Sequence, residues 1–264
     1  MGFDERTRIV TGESGAARLA AARVCVFGLG GVGAAAAMDL VRAGVGAVVA
    51  VDFDAVSGSN LNRLYFGYAD TLGMPKTEAF SLYARRVNPA VAVEGIGSIV
   101  RGAHAAERIP AGCDFYLDCI DSLNPKVNLM AALERAGLAF LSSMGTAGRL
   151  APERLRPGSL WETRDCPLSS LVRKRLRRLG YGPPGSGAER ESRFDCVWSD
   201  EPAVEPVMPA DGRTPGETVG GVRIRAVQGS APFVPQAAGH LMASIAVRSI
   251  LGLWKGGGKP AIRS

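Results

Sequence analysis

The stretch V-C-V-F-G-L-G-G-V-G, residues 24–33, decides how this chain folds. Four apolar residues in a row, Val24 to Phe27, suit a strand buried on both faces of a parallel sheet. The glycines that follow, Gly28, Gly30, Gly31 and Gly33, let the backbone turn tightly and approach phosphates. The helix they open offers unpaired N–H groups and the positive end of its dipole. Residues 34–43, rich in alanine, read as that helix, stopped by Gly44 and Gly46. A second strand, 47–51, ends in Asp52, with Asp54 two positions on. A carboxylate at that tip accepts hydrogen bonds from ribose hydroxyls. The unit by itself fits a binder of NAD, FAD or ATP equally.

Outward from this unit the pattern repeats. Residues 76–87 read as a helix that stops at Asn88-Pro89, because a residue before proline avoids the helical region. Residues 91–96 alternate like a strand, and 115–120 form another buried strand that finishes at Asp121. Residues 127–136 are predicted helical and closed by Gly137, and 139–143 are the next strand. Strand and helix in alternation imply an α/β chain with a Rossmann-like, doubly wound, mostly parallel sheet. Beyond Gly148 the pattern changes, which predicts a nucleotide-binding domain over 1–150 and a smaller C-terminal extension over 151–264 packing on it. In the extension, 167–179 read as a helix with Leu168, Leu171, Val172, Leu176 and Leu179 at helical spacing and Gly180 as the stop. Residues 182–192 and 205–221 read as loops, 222–227 as a strand, and 233–251 as a closing helix.

With 264 residues, 47% hydrophobic and 21% charged, the chain has the composition of a folded globular protein. Its net charge of +6 suits a polyanionic partner such as RNA, and equally an enzyme that is merely basic. Five cysteines (Cys25, Cys113, Cys119, Cys166, Cys196) contain no C-x-x-C pair, which argues against a tetrathiolate zinc site. The start M-G-F-D-E-R-T-R is charged and lacks the apolar run of a signal peptide, and Arg6 stands where a myristoylation pattern needs Ser or Thr. The apolar stretch 237–254 is interrupted by His240 and Arg248, so it reads as a buried helix and not a membrane span. The expectation is a cytoplasmic protein with no membrane attachment.

A second set of residues sharpens the ligand. S-N-L-N-R, residues 59–63, follows the acidic tip, and G-M-P-K ends at Lys76. Arg63 offers a planar fork for phosphate oxygens, Lys76 a mobile point charge and Asn60 a neutral donor. Three such groups suit a triphosphate better than a dinucleotide; alternatively Asn60 and Asn62 shape a turn and Arg63 is a solvated charge. Asp121, in D-C-I-D-S, lies at the strand edge where open α/β sheets bind ligands. It reads as a Mg²⁺ ligand or as a helix cap, whereas Asp118 faces the other way and reads as structural. Cys166 precedes Pro167 at a predicted helix N-terminus, where a thiolate is stabilised. Arg173, Lys174, Arg175, Arg177 and Arg178 form a basic face that is either a tRNA contact or a solvated surface. His104 and His240 lie in an alanine-rich stretch and an apolar helix, where neither suits a general base.

G-x-G-G-x-G, D-x-D, S-N-x-N-R, G-x-x-K and D-x-x-D-S together resemble the HesA/MoeB/ThiF superfamily, the adenylating fold shared with ubiquitin-activating enzymes. S-S-M-G-T-A-G-R-L (142–150), T-R-D-C-P-L (163–168), C-V-W-S-D-E-P (196–202) and G-S-A-P-F-V-P-Q-A-A-G (229–239) resemble one branch of it, the tRNA threonylcarbamoyladenosine dehydratases. The resemblance spans nearly the whole chain and implies use of ATP and Mg²⁺, a tRNA substrate and a homodimer, with room for a sulfur-relay protein partner. By position it implies an ATP site of Gly28, Gly30, Gly31, Gly33, Asp52, Asp54, Ser59, Asn60, Leu61, Asn62, Arg63, Lys76, Asp121 and Ser122. It further implies that Asn60, Arg63, Lys76 and Asp121 carry the chemistry, with Asp121 on the metal and Arg8 reaching into the partner subunit's site. Cys166 stands where thioester-forming relatives keep their cysteine, although the dehydratase branch has no need of one. The common form N-x-N-R-Q has glutamine where this chain has Leu64. The implied reaction is adenylation of the threonyl carboxylate and ring closure. The competing implication is an adenylyltransferase for the Gly-Gly tail of a ubiquitin-like sulfur carrier, disfavoured by the missing zinc cysteines.

Overall fold

Val24, Cys25, Val26 and Phe27 are all fully buried, so the strand they form has no face left for water. In the computed structural model, which describes residues 2–98, 103–208, 218–219, 222–223 and 226–254, this strand is an interior strand of the main sheet. The chain begins with α1 (Glu5–Ala21) and continues through β1 (Arg23–Phe27), α2 (Gly31–Arg42), β2 (Ala47–Val51), α3 (Lys76–Val87) and β3 (Ala92–Ile96). It then forms β4 (Phe115–Asp118), α4 (Leu123–Arg135), β5 (Phe140–Ser143), β6 (Leu155–Ser159) and α5 (Pro167–Arg178). Short strands β7 (Tyr181–Gly182) and β8 (Arg190–Glu191) precede β9 (Asp195–Ser199), β10 (Thr218–Val219), β11 (Val222–Arg223) and the closing helix α6 (Phe233–Ile250).

Seven strands make one sheet in the order β3-β2-β1-β4-β5-β9-β6. All neighbours are parallel except β6, which runs antiparallel to β9 at the edge. The chain leaves β1 for β2 on one side and returns to β4 on the other. That reversal opens a crevice at the C-terminal ends of the two strands, the place where doubly wound sheets bind ligands. The Rossmann-like, mostly parallel α/β sheet expected from the sequence is therefore present. Beyond residue 150 the chain adds β9 and β6 to the same sheet and lays α6 against α2.

Several elements differ from the sequence expectations. α1 was not anticipated: it is a kinked helix, with Gly12 at φ 71° inside it, and Gly12 and Gly15 disguise the helical pattern. α4 begins at Leu123, earlier than read, because Pro125 lies in the first turn, where a missing N–H costs no hydrogen bond. β4 stops at Asp118, because the Asp118 side chain accepts the Ile120 N–H and turns the chain. On α5 the buried stripe is Ser169, Val172 and Leu176, while Leu171 and Leu179 are exposed. The strand expected over 222–227 is reduced to β11 and an isolated bridge between Val207 and Val227; residues 224 and 225 lie outside the described residues. Much of the loop expected over 205–221 does so too. Among the described residues no helix is long and apolar enough to cross a membrane.

Candidate functional site

The C-terminal ends of β1, β2, β4 and β5 surround a cavity of about 600 Å³. Its first wall is the glycine turn. Gly28 holds φ 85°, and α2 starts so close behind it that a Cβ on Gly33 would stand 1.8 Å from the Gly28 carbonyl oxygen. Asp52 fixes this turn to the tip of β2: its Oδ2 accepts the Leu29 N–H at 2.6 Å and its Oδ1 the Asp54 N–H at 2.8 Å. Lys76, the first residue of α3, brings its Nζ to 2.9 Å from Asp54 Oδ2 and 3.7 Å from Asp52 Oδ1. A nearly buried ammonium is thus held between two carboxylates at the mouth of the turn. Both carboxylates keep lone pairs free for a sugar hydroxyl.

Arg63 forms the opposite lip. Its Nη1 donates to the Ser59 carbonyl at 2.8 Å and to Asn62 Oδ1 at 2.9 Å, and the side chain packs over Gly31. The loop that carries it is clamped from the far end of the chain. Asn62 Nδ2 donates to the Ser230 carbonyl at 2.7 Å, and Gln236 Nε2 to the Arg63 carbonyl at 3.2 Å. Asn60 shapes the turn, its Oδ1 accepting the Ser57 N–H at 3.3 Å. Leu64 is buried in the core next to this loop, so the position supplies packing rather than a polar contact.

Of the residues expected at a nucleotide site, Gly28, Gly30, Gly31, Asp52, Asp54, Arg63, Lys76, Asp121 and Ser122 line the cavity. Gly33 stands behind the turn, and Ser59, Asn60, Leu61 and Asn62 build the loop without lining it. Arg8 does not line the cavity of its own chain; it bonds Asp4 and Glu13, each at 2.9 Å, on an exposed part of α1. Asp121 is exposed at the cavity, and its only hydrogen-bond partner among the described residues is the Ser122 hydroxyl at 3.3 Å. A lone carboxylate suits Mg²⁺, which keeps several waters and takes its other ligands from phosphates. No group of three or more His, Cys, Asp or Glu among the described residues could hold a metal alone.

The cavity does not end at Asp121. It continues past Ser143 to Ala147, the chain leaving β5, to Cys166, Ala203 and Gln228. Arg149 organises this second end from a buried position. Nε donates to the Glu201 carbonyl at 2.7 Å, Nη1 to Gly145 at 2.7 Å and Nη2 to Asp165 at 2.9 Å. In the sequence Arg149 is indistinguishable from a surface charge, and only the glycine-rich turn before it hints at a carbonyl-binding role.

Cys166 is the N-cap of α5, with Sγ accepting the Ser169 N–H at 3.5 Å, and it is almost fully buried at the cavity wall. Cys119 also lines the cavity, where burial first and the Asp118 charge second push its thiol far up, so it stays protonated. His240 brings Nδ1 to 2.5 Å from Asp39 at the contact of α2 and α6, away from the cavity. The basic face of α5 is not uniform. Lys174, Arg175, Arg177 and Arg178 are exposed, but Arg173 turns inward to the carbonyls of Leu160 and Thr163 and to the Thr163 hydroxyl. Burial pushes its pKa down, and an arginine there remains charged. With the Ser169 hydroxyl, four carbonyl or hydroxyl oxygens surround its Nη1, which ties Arg173 to the 160–169 segment while its four basic neighbours face solvent.

The Escherichia coli tRNA threonylcarbamoyladenosine dehydratase is 32% identical over 196 residues, which cover 74% of this chain and 72% of that protein. A solved structure of the E. coli tRNA N6-threonylcarbamoyladenosine dehydratase in complex with ATP superimposes with a TM-score of 0.79 at 28% identity, covering 94% of this chain and 93% of the other. The E. coli molybdopterin-synthase adenylyltransferase is 38% identical, but over only 46% of this chain and 48% of its own length. The match to the family profile runs from residue 5 to residue 260, through both ends of the cavity, and the chain belongs to the ThiF family.

Proposed function

We propose that this chain is an ATP-dependent tRNA threonylcarbamoyladenosine dehydratase. The observation that carries the reading is the single cavity running from the glycine turn, Lys76 and Arg63 past Asp121 to the Ser143–Ala147 chain and Cys166. One end suits a nucleotide and the other an acyl group. Similarity to the solved dehydratase structure covers 94% of the chain, whereas similarity to the molybdopterin-synthase adenylyltransferase covers under half of it.

The geometry suggests the division of labour. The glycine turn holds the phosphates against the helix N-terminus. Asp52 and Asp54 hold the ribose and keep Lys76 near the phosphates. The substrate carboxylate attacks the α-phosphorus, the bond to the bridging oxygen breaks, and pyrophosphate leaves. Arg63 and Lys76 meet the charge that develops, ordinarily the largest contribution in such sites, while Asn60 shapes the loop that carries Arg63. Asp121 would hold a magnesium ion, which supplies charge neutralisation at the phosphates. The acyl-adenylate is captured by the carbamoyl group of the same modification, AMP leaves, and the net change is loss of one water. The tethered nucleophile has a high effective molarity, so the chain needs no thioester.

The test is incubation with ATP, Mg²⁺ and threonylcarbamoylated tRNA. The expected result is AMP release with a nucleoside lighter by one water, unchanged in Cys166→Ser. AMP formation only in the presence of a Gly-Gly-tailed protein overturns the reading.

The tRNA would approach along α5. Lys174→Glu, Arg175→Glu and Arg178→Glu together should weaken tRNA binding and reduce its salt slope by about 3. Filter binding across a salt series measures this, and an unchanged slope removes α5 from the interface. A homodimer belongs to the same reading. Ile9 and Val10 beside Arg8 are 81% and 86% exposed, an apolar surface that a second copy would cover. The reading assigns the chain to the cytoplasm, where tRNA is met, and assigns no residue to a sulfur-relay protein partner.

A further inference from the structure

Beneath the turn that carries Asp121 lies a charged cluster wholly out of contact with solvent. Asp118 at the end of β4, Lys126 in the second turn of α4 and Ser142 in β5 are each 0% exposed. Lys126 Nζ donates to Asp118 Oδ2 at 2.7 Å and to Ser142 Oγ at 3.0 Å, and lies 3.5 Å from the Asp118 carbonyl oxygen. The Ser142 hydroxyl donates to the same Asp118 Oδ2 at 2.6 Å. The other carboxylate oxygen accepts the Ile120 N–H at 3.1 Å. None of the three residues lines the cavity.

Taking an ammonium and a carboxylate fully out of water is costly, and apolar residues of the same volume often pack at least as stably. What this cluster contributes is placement. The bond from Asp118 to the Ile120 N–H ends β4 and turns the chain so that Asp121 arrives at the cavity. Lys126 draws the start of α4 onto the ends of β4 and β5. Ser142 immediately precedes the 143–147 chain that forms the acyl end. The glycine turn leans on the same base, since Cys119 N–H donates to the Phe27 carbonyl at 2.8 Å and a Cβ on Gly28 would stand 3.0 Å from the Cys119 carbonyl oxygen. Three strand ends, and with them both walls of the cavity, are therefore tied to one buried ion pair.

We propose that Asp118, Lys126 and Ser142 are positioning residues that hold Asp121 at a fixed separation from the 143–147 chain, so that phosphate and acyl group meet in line. The identity of that acyl group rests on the dehydratase reading; the positioning of Asp121 does not.

The test compares the full-length wild type with Asp118→Asn/Lys126→Met, which removes both charges at nearly constant volume, and with Ser142→Ala. Thermal melting, binding of a fluorescent ATP analogue as a function of Mg²⁺, and AMP formation are measured on each. The double variant is expected to melt in one transition near the wild type. It should need about tenfold or more Mg²⁺ for half-maximal nucleotide binding. Its kcat should fall about 10²-fold with little change in the KM for ATP. Ser142→Ala should move kcat in the same direction by less. A folded double variant with wild-type kcat and Mg²⁺ dependence overturns the proposal. So does a double variant that fails to fold beside a Ser142→Ala with unaltered kcat and Mg²⁺ dependence, because the cluster then only stabilises the fold. The Mg²⁺ titration uses no tRNA, so a wild type that releases no AMP with the modified tRNA refutes the dehydratase reading and leaves the positioning test running.

Discussion

Arg63→Ala should lower the rate of AMP formation by about 10²–10³-fold while leaving the melting temperature near the wild type. The guanidinium is held before any nucleotide arrives. Ser59 and Asn62 fix Nη1, Gly31 supports the stem, and Nε and Nη2 make no hydrogen bond among the described residues. Donors aimed in advance at developing charge need no reorganisation as the phosphates separate, which makes them worth more than mobile ones. Asp121→Ala should lose a comparable factor, because among the described residues its carboxylate is bonded only to the Ser122 hydroxyl and leaves no buried partner stranded when removed. Pyrophosphate release under single-turnover conditions reads both. A loss of less than about tenfold in either variant would place the phosphate chemistry on other residues.

Gly33→Val should abolish the fold, and for a reason visible in one distance. Any Cβ at this position would lie 1.8 Å from the Gly28 carbonyl oxygen and 2.9 Å from its carbon, both backbone atoms that no rotamer can move. Relief requires α2 to lift from the end of β1, whose last four residues are fully buried. We expect a cost of about 4 kcal/mol or more, a large share of the roughly 5–15 kcal/mol that holds a domain together. The variant should appear in the insoluble fraction or melt far below the wild type by calorimetry. Gly30→Ala is the control, because nothing lies within 4 Å of its added methyl and its φ of −79° suits alanine. That methyl faces the cavity, so Gly30→Ala should fold normally and bind nucleotide more weakly. A soluble Gly33→Val with wild-type melting would mean that α2 does not sit as close as described.

The nucleotide half of the fold was legible because its signals are local. Unbroken apolar runs mark β1 and β2, glycines mark the turn between β1 and α2, and Asn88-Pro89 marks the end of α3. What escaped reading obeys rules that only the finished sheet reveals. L-R-P-G-S, residues 155–159, contains proline and glycine and looks like a turn, yet it forms β6. It succeeds because β6 is an edge strand, where a missing N–H on one side is harmless. β9 carries a charge and a serine at its ends, and its parallel partner β5 lies some fifty residues earlier in the sequence. In the site, Arg63, Lys76 and Asp121 could be named from their neighbours in sequence, because each stands in a dense motif. Arg149 and Lys126 could not, since a buried cation looks like any other until its carbonyl or carboxylate partners are in place. The inward turn of Arg173 has the same cause.

The clamp on the S-N-L-N-R loop sets an order of events during synthesis. Ser230 and Gln236 hold that loop, and Pro235 stands where a side chain on Gly31 would collide. Pro235 and Gln236 belong to α6 and Ser230 lies just before it, so all three leave the ribosome after every strand of the sheet has emerged. The glycine turn can form on the nascent chain, but the lip that faces it cannot be fixed until α6 docks on α2. A chain synthesised only through the sheet would thus present an open, unclosed nucleotide crevice, and the site would mature in a single step once α6 has emerged and docked.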